Sequence, residues 1–472
     1  MKKILLSVFL ASTLFSQETT KIQKSENLSL TIYNNNLAMI NEERSLNIKK
    51  DGTQKLIYEG IPSSVIFESI IPYFSKPTTL YSQNYHYDIL SLNKLLEKHI
   101  NKEIIYKDYT DEYTFKREKA ILLSLNPILL QKNEEIISGI KATDIIFSKL
   151  PSDLITKPSL VWKTTSKKGE QKIKLNYLTR NISWKSDYIL NLDGTNSLNG
   201  WISIQNNSGT VYNNANIYVI AGDVKTNRPM VRKGTQRYEM ASMDTMASSP
   251  KVAQKSFSGY HLYTIPFKET INNNEKKQIN FINKSALKVQ SKATSNNGIY
   301  FHRFSKIKAQ NFNHKLELNN TKEAGLGLAL PTGTVRVYKK DEGISHFIGE
   351  DRIKHTSKNE EISLHIGKFF DITQDVTQLF NKKTRESVRT KYSRLIENKT
   401  DKARLVEITE KVYSNNIKNI DASNTCANNC TFKKEGLNSY TYTIKLKAQS
   451  KYKFVVDYEL FYSQPLGQKI KS

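Results

Sequence analysis

Cysteine is almost missing from this chain of 472 residues, which holds only Cys426 and Cys430. Two cysteines exclude a small scaffold held by disulfides in place of a core, and a four-thiolate zinc site. The eight histidines, His86, His99, His261, His302, His314, His346, His355 and His365, are dispersed, and none stands in a His-Glu-x-x-His motif. That spacing puts two imidazoles on one helical face, so its absence removes the commonest zinc-hydrolase signature. No Gly-x-Ser-x-Gly elbow is present to raise a nucleophilic serine. Gly325-Leu326-Gly327 runs into Leu328-Ala329-Leu330-Pro331 rather than Gly-Lys-Ser/Thr, so it reads as a strand ending at a turn and not as a phosphate loop. No motif calls for a cofactor or a metal. No run reaches the roughly 18 to 20 apolar residues that a transmembrane helix needs.

Acidic residues are also short, 45 against 71 lysines and arginines, for a formal net charge of +26. A chain this basic is drawn to anionic surfaces. Compositional drift toward lysine, with abundant Asn and Ile, gives the same balance, and the lysines are scattered rather than clustered. Residues 1–16 follow the order of a secretory signal, with Lys2-Lys3, then the apolar run Ile4 to Ala11, then small and polar residues. The chain is therefore expected to be exported, to the periplasm or an outer-membrane-associated position. There the available anions are lipopolysaccharide, acidic lipid headgroups and cell-wall polymers, and nucleic acid is not an expected partner. In that oxidising compartment Cys426 and Cys430 are expected to form a disulfide closing a small loop, worth about 2 kcal/mol.

Apolar and polar residues alternate at both ends, which marks half-buried antiparallel strands. Leu28, Leu30 and Ile32 oppose Ser29, Thr31 and Tyr33. Tyr442, Ile444 and Leu446, then Tyr452, Phe454, Val456, Tyr458 and Leu460, line one side of two runs flanking Ala448-Gln449-Ser450, a pattern that predicts a hairpin. Its outer face would carry Lys445, Lys447, Lys451 and Lys453 together, a candidate contact for an anionic glycan or lipid. One short helix is expected after Ser91, with Leu92, Leu95, Leu96 and His99 on one face. The predicted fold is mainly β: antiparallel β-sandwich domains with a small inserted β-barrel-like module and one short helix. The expected segments are an N-terminal β region over 17–90, the helix and inserted module over 91–150, and the first part of a central sandwich over 151–224. A surface loop follows over 225–258, with Met240, Met243 and Met246 three apart, and the remainder of the sandwich region, one unit or two, fills 259–472.

The stretch Ser183 to Val224 combines strand-like runs with turn chemistry at Asp193-Gly194, Asn206-Asn207-Ser208-Gly209 and Ala221-Gly222-Asp223. With Ile32-Tyr33-Asn34-Asn35, Tyr58-Glu59-Gly60-Ile61-Pro62, Tyr260 to Pro266, Leu330 to Tyr338 and Ile348 to Ile353, it resembles the DUF4139 family of exported bacterial proteins. The likeness runs in order over most of the chain. Some relatives, called mucoidy-inhibitor-like, carry a long coiled coil, and no sustained heptad repeat is present here.

Two function classes fit these observations. The first is a non-enzymatic binding or scaffolding protein of the envelope, engaging a protein or glycan. Trp184, Tyr188 and Trp201 would supply an aromatic surface if exposed and core anchors if buried. The second is a glycan hydrolase, for which Asp187, Asp223, Glu350 and Asp351 are the candidate carboxylates. A hydrolase needs two of them converging in a cleft; acids neutralised by Arg336 and Arg352 would favour the scaffold. An outer-membrane barrel ranks last, because the chain ends Gln468-Lys469-Ile470-Lys471-Ser472 rather than in a strand closed by an aromatic residue.

Overall fold

The computed structural model describes residues 19–22, 25–86, 91–148, 157–222, 224, 253–257, 260–414 and 416–463. Residues 1–16, expected to be a secretory signal, Asp223, and Met240, Met243 and Met246 of the expected 225–258 loop lie outside them. The chain is mainly β, built from several sheets, with one α-helix among the described residues. No helix among these residues is long and apolar enough to cross a membrane.

Alternation sets the first sandwich. In strand Leu37–Ile48 the even positions Ile40, Leu46 and Ile48 are buried. The strand pairs over its whole length with Gly169–Arg180, whose Ile173, Leu175 and Tyr177 face the same core. Across that core stand Leu56 and Tyr58 of Gly52–Glu59 and Leu160 and Trp162 of Ser159–Ser166. Segments 17–90 and 151–224 are thus interleaved parts of one sandwich. The inserted module leaves after Thr78–His86 and returns just before Ser159–Ser166, and those two strands pair with Ser159 opposite His86. Because exit and re-entry are neighbours, the insertion costs the sandwich no strand.

The module itself opens with helix Leu92–Lys98, capped where the Ser91 side chain accepts a hydrogen bond from the Lys94 amide. Leu96 packs with Ile104, Tyr106, Leu122, Leu130 and Ile145 into a separate core. Its five antiparallel strands end in edges Glu135–Ile137 and Ile145–Ile146, which do not pair with each other, so the sheet is open. Strand Ala253–Phe257 pairs with Tyr260–Thr264, so the end of the segment expected to be loop is strand.

A five-stranded sheet bridges the two halves. Its order is Glu275–Lys284, Ser197–Asn206, Ile182–Leu192, Gly333–Asp341 and Ile344–Ile353. One end of its inner face, with Ile182, Trp184, Ile202 and Ile204, packs into the first core. The other end, with Tyr188, Leu190, Val335 and Val337, packs against Leu316, Leu318, Ile362, Leu364 and Ile366 of the next sheet. Gly333 is required where the parallel pair forms, since a Cβ there would run into the Ser186 carbonyl.

That next sheet has nine strands and curls into a half-barrel around Phe312, Tyr392, Tyr440, Tyr442, Phe454 and Tyr458. Its two edges, Asn419–Asn424 and Cys430–Glu435, are consecutive in the chain. The crossover between them is tied to both neighbours, by Thr425 N–H to the Val455 carbonyl and by Lys445 N–H to the Asn429 carbonyl. A disulfide joins Cys426 and Cys430 within it, with Cα atoms 5.3 Å apart.

The predicted hairpin does not form. Ser439–Leu446 pairs with Arg404–Lys411 and Cys430–Glu435, whereas Ser450–Phe461 pairs with Ser387–Asn398 and Asn419–Asn424. The chain bends across the core instead of doubling back along an edge, and the Tyr442 and Tyr458 hydroxyls meet inside at 2.6 Å. Alternation is the same for either arrangement, so the pattern identified the strands and mistook their pairing. Lys445 and Lys447 therefore belong to one wall and Lys451 and Lys453 to the opposite one. Lys451 is further engaged by Glu397 at 3.0 Å, so the four do not form a shared hairpin face.

Candidate functional site

The outer face of the bridging sheet gathers the most chemistry. Along Ile182–Leu192 the even residues point inward, so Lys185 and Asp187 point outward, although neighbouring side chains leave Asp187 only 4% exposed. Asp187 stands opposite Trp201 on one side and Thr334 on the other. A polar ladder crosses all five strands at this level. Gln278 donates to Ser203 Oγ at 3.0 Å, and Ser203 donates to Asp187 Oδ2 at 3.0 Å. Lys185 Nζ donates to Asp187 Oδ1 at 3.1 Å. Arg336 reaches the same oxygen at 3.4 Å and, through Nε, Glu350 at 3.2 Å. Burial works to raise the Asp187 pKa, but the Lys185 ammonium, Ser203 and Arg336 outweigh it and hold the carboxyl below its ordinary value.

This chemistry is that of a paired carboxylate. A general acid in glycoside hydrolysis must hold its proton near neutral pH, which takes a raised pKa; Asp187 is shifted the other way. Asp351 has a backbone role: its oxygens accept from the Arg352 and His365 amides, each at 2.7 Å. Among the described residues no three His, Cys, Asp or Glu side chains converge as a metal site.

Trp184 and Tyr188 are not available to a partner. Trp184 is buried in the first core, with its indole N–H donating to the Ile220 carbonyl at 3.2 Å. Tyr188 is buried in the second, with its hydroxyl on the Pro331 carbonyl at 2.8 Å. Both sit at even positions of one strand, which sends them inward. Trp201 follows a register shift at Gly200/Trp201, lies on the outer face, and is half-buried beside the ladder.

Two clusters that the sequence reading passed over lie in the cores. In the half-barrel, Arg394 and Glu410 form a fully buried ion pair. The Tyr392 and Tyr458 hydroxyls each donate to Glu410 at 2.7 Å, and Arg394 donates to Gln374 Oε1 at 2.6 Å. In the first sandwich, Arg44 pairs with Glu42 at 3.0 Å, donates to the Glu59 carbonyl at 2.7 Å and covers the Tyr58 ring at 3.7 Å. Each was legible as a charge at an inward position of an apolar alternation: Glu42 and Arg44 between Ile40 and Leu46, Arg394 between Tyr392 and Ile396, and Glu410 between Ile408 and Val412. Their enclosure and mutual ion pairing make them structural, although Arg394 Nε is buried without a hydrogen-bond partner.

Compared with known proteins, the chain matches no family model and no curated protein.

Proposed function

We propose that this chain is an exported, non-enzymatic protein of the bacterial envelope that uses the outer face of its bridging sheet to bind or scaffold a protein or glycan partner. The observation that carries the reading is the Lys185–Asp187–Arg336–Glu350 arrangement, in which two cations neutralise two carboxylates. Such a ladder is poor in free acid and base but rich in fixed donors and acceptors. Trp201 beside it offers an aromatic surface of the kind that sugars and protein side chains pack against. The basic charge, the signal-like residues 1–16 and the resemblance to the DUF4139 family support the envelope as the setting. The glycan hydrolase is the competing reading.

A direct assay separates the two. Purified protein incubated with cell-wall and lipopolysaccharide glycans is expected to retain them without releasing reducing ends. Release that disappears in Glu350→Gln would overturn the proposal in favour of the hydrolase. N-terminal sequencing of the periplasmic fraction tests the export component, with a mature start near Gln17 expected.

A further inference from the structure

Strands Lys306–Asn319 and Glu361–Lys383 run through both the bridging-sheet core and the half-barrel core. Between the two cores the inward position of the first strand turns polar. On the first, Phe312 belongs to one core and Leu316 to the other, and His314 stands between them. On the second, Phe369 occupies the gap between Ile366 and Ile372, and its ring lies 4.2 Å from that of His314. Arg404 shares the inward side of its strand with Val406 and Ile408, and its guanidinium lies 5.4 Å from the Phe369 ring centre. Lys339 shares the inward side of Gly333–Asp341 with Val335 and Val337, and His346 is opposite it on the neighbouring strand.

The charges here are not matched. On the outer side of the same nine-stranded sheet, Lys292 meets Glu317 and Glu407, and Lys315 meets Glu317. On the inner side, neither Arg404 nor Lys339 has an ion pair among the described residues, and Arg404 Nε is buried without a hydrogen-bond partner. Asp341, the next inward acid along the Lys339 strand, is out at the exposed hairpin tip and pairs with neither. Ser291 adds a hydroxyl, 2.9 Å from His314 Nε2.

We propose that this junction is a binding site for a phosphate monoester, with Arg404, Lys339 and His314 around the dianion and Ser291 orienting the imidazole. A carboxylate has two oxygens and one charge, which a single guanidinium satisfies. Donors on three separate strands suit a tetrahedral dianion with three free oxygens. Burial, with Arg404 and Lys339 nearby, pushes the His314 pKa down to about 4, and a bound dianion would reverse that effect. The site is on the inner side of the bridging sheet, away from Trp201, and stands whether or not that outer face binds a partner.

The test is proton NMR of the His314 ring in the full chain, titrated with inorganic phosphate against chloride at matched ionic strength. A saturable shift with phosphate, and a His314 pKa that rises with it, are expected. Arg404→Gln should weaken phosphate binding about tenfold or more. The exposed Lys339→Gln, which leaves the packing intact, should also weaken it. No saturable response at millimolar phosphate, or an affinity unchanged from the parent in both variants, would overturn the site. Co-sedimentation with phosphatidic acid against phosphatidylcholine vesicles distinguishes the source. Capture by the former that Arg404→Gln abolishes assigns a lipid headgroup, and phosphate binding without vesicle capture assigns a soluble ester. Vesicle capture unchanged in both variants, with no phosphate response, would also overturn it.

Discussion

Replacing Glu410 by glutamine keeps the shape of the side chain and removes its charge. In the parent, the carboxylate is fully enclosed and faces the Arg394 guanidinium and two tyrosine hydroxyls. The amide still offers one oxygen, so a tyrosine keeps an acceptor while Arg394 becomes a buried cation without a counter-charge. Breaking a buried pair in this way costs about 3–5 kcal/mol, because the remaining charge is desolvated and unmatched. A tyrosine left facing the amide NH2 group loses its acceptor, for a further cost of about 1 kcal/mol. Adding Arg394→Met to Glu410→Gln removes the stranded cation and should recover most of the loss. Trp162, Trp184 and Trp201 all lie outside the half-barrel, so tryptophan fluorescence does not read it. Hydrogen exchange of peptides from Ser387–Asn398, Arg404–Lys411 and Ser450–Phe461 over a urea series does. If Glu410→Gln exchanged within about 1 kcal/mol of the parent, the pair would be hydrated and the reasoning refuted.

Three further outcomes are expected. Opening the Cys426–Cys430 bond by Cys430→Ser should cost about 2 kcal/mol by loop-closure entropy and raise exchange first at the two half-barrel edges; a global loss would contradict this. Acid should destabilise the fold. His314, whose folded pKa near 4 lies below its ordinary 6.5, stabilises the folded state fully above pH 6.5, and that stability is lost as pH falls toward 4. Asp187, lowered as well, pushes the same way at still lower pH, and His314→Gln should flatten the urea-midpoint profile between pH 6.5 and 4. Trp184→Ala should cost about 3–5 kcal/mol as a core cavity, and Trp201→Ala under about 1 kcal/mol, measured by urea unfolding; equal costs would place Trp201 in the core.

Local pattern was informative wherever it has a short physical range. The alternation at Leu28–Ile32 and at Tyr442–Leu460, the Ser91 cap and the Cys426–Cys430 spacing each involve residues a few positions apart, and each reads directly from the chain. Pairing is set by what faces the core from far away in sequence. The run Ser450–Phe461 fits equally well beside Ser439–Leu446 or across from it, and the choice is made by Ser387–Asn398 and Asn419–Asn424. The same holds for the outer ladder. Asp187 and Arg336 lie 149 positions apart, and only the parallel pairing of their strands brings them together. Trp201 and Trp184 could not be separated by residue type alone. The parity of each strand, and the register shift at Gly200/Trp201, decide that one faces out and the other in.

The most direct test of the binding reading is site-specific photo-crosslinking in intact cells from position 205, where Gln205 is exposed on the Trp201 side of its strand. The binding account expects a discrete adduct with an envelope protein or glycan that diminishes when Trp201→Ala is added and persists in Glu350→Gln. Absence of any adduct from that face, together with glycan cleavage that Glu350→Gln abolishes, would contradict it.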